Sequence, residues 1–329
     1  SVTATANSTA KTEAYAVAGG IGAAIQGAGS FATVKPTVKA SVDSAQIFTS
    51  GLTSVGASST GSAETLATGI AVAGGLAAGA SLSESEVASN VSTTVSNGTS
   101  IDAGSIDIGS TGNTGLVKSK AIGAAGALVG LNATVTKSKN FTNANTLVTG
   151  SALKSSGNTT VQANNTTNQF ADGTGIAAGF IAAGFNISEA KSATTTKAVV
   201  TNLTFLEAGS LNVTANGTDT NEAVTIAGSG GLVAGSAATS KTSTLSETLA
   251  AVDTSGVASY GVNVAGQATI LAQHKSNFLS SVDSTQASLV GASGANLTNV
   301  VNSMVDAKIG DRVQFTARNL SLLAKNITD

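Results

Sequence analysis

Ala208-Gly209-Ser210-Leu211-Asn212-Val213-Thr214-Ala215-Asn216-Gly217-Thr218 is a turn glycine followed by a short alternating run. Leu211, Val213 and Ala215 fall on one side of an extended chain, and Asn212 and Thr214 on the other. That is the period of two that marks a half-buried strand. Units of the same kind recur as AGSIDIGSTGN from Ala103, SSGNTTVQANN from Ser155, VAGQATILAQHK from Val264 and IGDRVQFTARNLSLLAKN from Ile309. Strands of this length, divided by Gly, Asn and Ser, predict an all-β chain.

A second kind of segment alternates with the first. AVAGGIGAAIQGAGSFATVK from Ala16 recurs as related Gly/Ala-rich runs from Gly69, Ala121, Gly175 and Thr225, and more weakly from Ala287. One glycine taken from each (Gly27, Gly79, Gly130, Gly184, Gly235 and Gly291) gives spacings of 52, 51, 54, 51 and 56 residues. A period this regular over nearly the whole chain is the signature of a repeat architecture. The expected fold is therefore a parallel β-solenoid (β-helix), with residues 1–329 forming one continuous repeat region of a longer protein. Two or three coils per period, of ~18 to ~26 residues each and stacked at ~4.8 Å, would make a rod of roughly 60 to 85 Å.

Composition fits such a fold. Apolar residues reach 41%, yet aromatics are only 3%, Trp and Cys are absent, and Met304 is the single methionine. A core of many small side chains in a thin, regular interior follows. The single proline, Pro36, leaves long hydrogen-bonded ladders uninterrupted. A net charge of −2, with only 16 Lys and Arg, gives no electrostatic reason to expect nucleic acid. In the Gly/Ala runs, Ile176, Ala178, Phe180 and Ala182 alternate with Ala177, Gly179, Ile181 and Ala183, so both faces are apolar. These runs are shorter than the ~20 residues of a membrane helix. The expectation is a long strand buried on both sides. Its second face is expected to meet an adjoining layer, a neighbouring loop or another molecule, which makes self-association through the Gly/Ala strands a candidate property.

No catalytic, cofactor-binding or metal site is expected. His274 is the only histidine, has no second histidine or cysteine to share a metal with, and is read as solvated or in a turn. Glu84 and Glu86 lie two apart on one face of a strand, a spacing open to glycosidase-type chemistry. The two arginines, Arg312 and Arg318, lie far away in sequence, and the pair reads as a solvated outer face. Asp102 and Asp107 read as turn or surface residues rather than calcium ligands. Neither the phosphate-loop pattern nor the nonapeptide calcium repeat occurs. Asn-x-Ser/Thr sequons are plentiful, with examples at Asn7, Asn90, Asn97, Asn132, Asn140, Asn158, Asn186, Asn202, Asn212, Asn216, Asn296, Asn319 and Asn326. Alternation alone brings Asn and Thr to one face of a strand; modification is the functional alternative.

AGSLNVTANG, AGSIDIGS and VQFTARNLSLLAKN resemble the repeats of filamentous haemagglutinin-like adhesins, which are exported by two-partner secretion. The Gly/Ala strand followed by a polar, charged strand is similar to the repeats of the large leukotoxin-type filamentous adhesins of anaerobic Gram-negative bacteria. The resemblance covers most of the chain through degenerate motifs, and the conserved N-terminal secretion domain of that family is not recognisable in it. The resemblance implies a secreted or cell-surface adhesin shaft, not an enzyme, with host or bacterial surface proteins or glycans as partners. A self-assembling filament or surface-layer protein is the alternative. A polysaccharide-active β-helix would need a groove of clustered acids and aromatics.

Overall fold

The computed structural model describes residues 1–254 and 259–329. Strands make up 89% of the chain, and the described residues contain no helix. No helix is therefore long and apolar enough to cross a membrane. Every described strand pairing is parallel, within one sheet of 17 strands. Ala23 pairs with Leu76, Leu76 with Val129, Val129 with Ile181, Ile181 with Val233, and Val233 with Val290, at offsets of 53, 53, 52, 52 and 57 residues. The sequence period and the pairing offset are thus the same quantity. The repeat glycines chosen as markers lie within two residues of true register.

Each period is one tier of the stack, not two or three coils. The first tier has four walls: Val2–Gly20, Ala23–Val34, Thr37–Asp43 and residues 46–49. The strand Gln46–Ala73 supplies that fourth wall and then, past a register break between Thr49 and Leu52, the first wall of the next tier. Val2, Val55, Ile108, Val161, Val213, Ile270 and Leu322 hold equivalent places in successive tiers. Six steps of ~4.8 Å give a stack about 29 Å high, well short of the rod expected from two or three coils per period. The two kinds of repeated segment are different parts of the same tier, one leading into wall one and the other turning from wall one into wall two, so they never stack on one another.

The pairings contain one closed six-strand circuit with eleven strands outside it. It runs from Ser100–Gly126 through Ala152–Ser155 and Phe205–Ala208 to Tyr260–Ile309, and returns through Ser210–Asp253 and Asn158–Ala178. Both arms climb the stack by the usual offset: Ser100 to Ala152 to Phe205 to Gly261, and Ile106 to Thr159 to Leu211 to Ala268. They rejoin because the first and last strands turn a corner and so belong to two walls each.

Corners carry their own chemistry. Between walls three and four, Ser44, Asn97, Gly150, Asn202 and Arg312 all adopt left-handed backbone, with φ between 51° and 64°. Small and polar residues visit that region most readily. Pro36 lies at the corner after wall two of the lowest tier, where its carbonyl accepts from Asn90 N at 2.9 Å, an edge position suited to a residue without an N–H.

The interior has two parts. Walls three and four and the start of wall one enclose an aliphatic chamber. Columns such as Val42, Val95, Val148, Val200 and Val252, and Ile101, Leu153, Leu206 and Val262, converge in it. Tyr260 caps this region: its hydroxyl donates to the carbonyls of Asp253 and Val200, and burial holds its pKa far above the ordinary tyrosine range. Leu211, Val213 and Ala215 are fully buried there, while Asn212 and Thr214 face outward, as their alternation predicts.

The rest of walls one and two form a thin blade lined by Ala, Gly, Ser, Thr and Asn. Its sheets are close enough for a serine on one to reach the backbone of the other. Ser240 Oγ donates to Ala223 O at 2.7 Å, Ser138 Oγ to Phe170 O at 2.6 Å, and Ser188 Oγ to Val224 O at 2.6 Å. Hydroxyls donating to backbone in this way are satisfied, so burying them carries little penalty.

Candidate functional site

The Gly/Ala runs are not strands buried on both sides. Each turns the sharp edge of the blade, where the strand Asn158–Ala178 ends and Ile181–Ser192 begins. The break shifts the alternation. Ala177 and Ala182 point inward, while Ile176, Phe180, Ile181 and Phe185 are exposed. Pairing along the stack already satisfies the backbone, so an extended run can carry apolar side chains outward without leaving peptide groups unpaired. Ile21, Leu128, Phe180, Leu232 and Leu289 stand along the edge itself, Ile21 being 97% exposed and Leu289 80%. The blade thus reverses the usual order, with polar side chains inside and apolar ones outside.

Charge is excluded from this zone. No Asp, Glu, Lys or Arg occurs between Glu64 and Glu84, between Lys120 and Lys137, between Asp172 and Glu189, or between Glu222 and Lys241. On the outer face of wall two the zone contains a shallow groove of about 600 Å³ across the tiers, floored by Ala78, Ala80, Ala133, Ala183 and Ala237 and flanked by Ile25, Leu131 and Phe185. It ends at a row in which Glu84, Lys137, Glu189 and Lys241 lie in register, one per tier, with alternating sign.

Glu84 and Glu86 do share one outward face, and both are paired with lysines. Glu84 lies 2.5 Å from Lys139 Nζ and Glu86 2.7 Å from Lys35 Nζ. Asp102 lies outward, 3.6 Å from Lys154 Nζ, and Asp107 accepts from Gln162 Nε2 at 3.1 Å. Arg318 is exposed and Arg312 occupies the left-handed corner. Among the described residues, no three His, Cys, Asp or Glu side chains group as metal ligands would.

His274 is not solvated; it is completely buried. Its Nε2 lies 3.3 Å from Asp219 Oδ2, outside good hydrogen-bond alignment, and its Nδ1 lies 3.3 Å from Thr248 Oγ1. Asp219, equally buried, accepts from Thr167 Oγ1 at 2.6 Å, from Ser246 Oγ and from Thr194 Oγ1 at 3.4 Å. The imidazole fits because its register partner one tier below is Gly217, where any Cβ would overlap Nδ1. The constellation is enclosed, and its contacts join neighbouring tiers, with Asp219 reaching Thr167 one tier below and His274 one tier above. The signal was present in the sequence. Aligning ILAQHK with VTANGT puts Ala272 with Ala215 and His274 with Gly217, on the inward parity.

The sequons divide by the same parity. Asn132, Asn140 and Asn186 are buried, whereas Asn7, Asn90, Asn97, Asn158, Asn296, Asn319 and Asn326 are exposed. No family model, no curated protein and no solved structure matches the chain.

Proposed function

We propose that this chain is a segment of a β-solenoid shaft from a secreted or outer-surface bacterial adhesin, and that its work is mechanical and adhesive rather than catalytic. The recurring parallel offset of 52 to 57 residues supports the reading, since a chain that returns to the same wall in each tier extends by adding tiers. Outward charges paired between neighbouring tiers, as in Lys120–Asp172 at 3.1 Å and Lys197–Glu247 at 2.8 Å, suit a scaffold that holds its register. The resemblance to filamentous haemagglutinin-like repeats supplies the adhesive part of the proposal, with surface proteins or glycans as partners. Fluorescently labelled protein titrated onto fixed epithelial monolayers and onto intact Gram-negative cells is expected to bind at least one of them saturably and to be displaced by unlabelled protein. Binding to neither would overturn the adhesive reading.

A second reading has its own observation. The apolar outer face of the blade is exposed in the single chain, which favours self-assembly into a filament or surface layer.

A further inference from the structure

We infer that the outer face of wall two is a dimerisation surface whose occupant is the same face of a second copy of this chain. The inference depends on the tier register and not on the adhesin reading. Consider two copies related by a two-fold axis lying between them, parallel to the strands and level with the gap between the third and fourth tiers. Positions along each strand are kept and the order of tiers is inverted. Leu76 of the second tier then faces Val233 of the fifth, and Val129 of the third faces Ile181 of the fourth.

Three features of the face fit that operator. Charge is self-complementary: the row Glu84, Lys137, Glu189, Lys241 inverts to Lys241, Glu189, Lys137, Glu84. Glu84 thus meets Lys241 of the second copy, and Lys137 meets its Glu189. Size is complementary too. In the groove Phe185 faces Ala133 of the second copy, Leu131 faces its Ala183, and Ile25 faces its Ala292, each bulky side chain opposite a small one, while Leu76–Val233, Val129–Ile181 and Val135–Ile187 meet as apolar pairs along the flanks. The area also suffices. Strands of 12 residues across six tiers span about 40 Å by about 24 Å, or roughly 950 Å² per copy, against the ~800 Å² per partner of an ordinary stable interface. Lys139 opposite Lys191 is the one unfavourable pairing; Lys139 is already held by Glu84 of its own chain, and both long side chains lie at the polar rim.

Such an interface is isologous and closes on itself, giving a dimer and not an open fibre. The absence of cysteine makes the test clean. Sedimentation of the full chain is expected to give a dimer, about twice the 31.7 kDa of one chain. Phe185→Glu is expected to weaken dimerisation at least tenfold without changing the far-ultraviolet circular dichroism, since the side chain points outward. Should that variant fail to fold, Leu131→Glu carries the same expectation. A mixture of Ala80→Cys and Ala237→Cys proteins is expected to cross-link through a short bis-maleimide, while Ala80→Cys alone does so far less. A monomer at 100 μM would overturn the inference, as would a dimer that cross-links Ala80→Cys to itself preferentially, or a monomer that instead partitions onto phosphatidylcholine vesicles.

Discussion

Val213→Asp is expected to destabilise the stack by more than about 4 kcal/mol, while Thr214→Asp, one residue along, changes stability by less than about 0.5 kcal/mol. Val213 is fully buried in the aliphatic chamber, with Val161 below it and Ile270 above. A carboxylate placed there meets neither water nor a partner, whereas Thr214 faces outward, where a charge stays hydrated. Stability in a stacked array is shared mainly between neighbouring tiers. Hydrogen exchange read by mass spectrometry should therefore show loss of protection first around Val161 and Ile270, with Ala23–Val34 still protected. Equal exchange in the two variants, or greater damage from Thr214→Asp, would contradict the inward assignment.

The blade's edge supplies the second large effect. Gly231→Val is expected to cost about 2 to 3 kcal/mol and to lower the melting temperature by several degrees. A Cβ at Gly231 would overlap the carbonyl oxygen of Gly179 one tier below and would also come within 3.2 Å of Phe180 O. The obstruction is backbone held in a ladder, so it cannot swing aside as a side chain would. Gly261→Val is the matched control: a Cβ there has no neighbour within 4 Å, and valine suits an exposed strand. Thermal unfolding followed by circular dichroism compares the two. A Gly231→Val protein that melts with the parent would show that the edge is not packed as described.

The contrast between Val213 and Gly231 also marks how far the sequence could be read. Inward and outward sides in wall one follow from alternation alone, which is why Leu211 and Val213 are legible. The period is legible as well, because stacking selects similar residues at equivalent places and so leaves its offset in the sequence. How many strands one period folds into is not legible. Two repeated segment types look the same whether they are two coils or two parts of one tier; only the pairing of Ala103 with Ser155, rather than with a Gly/Ala run, separates the cases. Corners are hidden for a related reason. Gly179 and Phe180 continue an unbroken apolar run, and nothing in their composition announces that the chain turns there and exposes the outer side. His274 shows the limit of reading a residue by its type: a lone imidazole suggests solvent, while its parity with Ala272 and Ile270 points inward.

The account turns on one tier per period, and a single distance tests it. Lys11, Glu64, Lys118, Phe170, Glu222 and Leu279 form one outward column. Spin labels on Lys11→Cys and Leu279→Cys, in protein diluted with unlabelled chain so that only intramolecular pairs report, can be measured by double electron–electron resonance. Five steps of ~4.8 Å predict a separation of about 24 Å, broadened by the label tethers. A separation of about 48 Å or more, as two or three coils per period would require, would contradict the account.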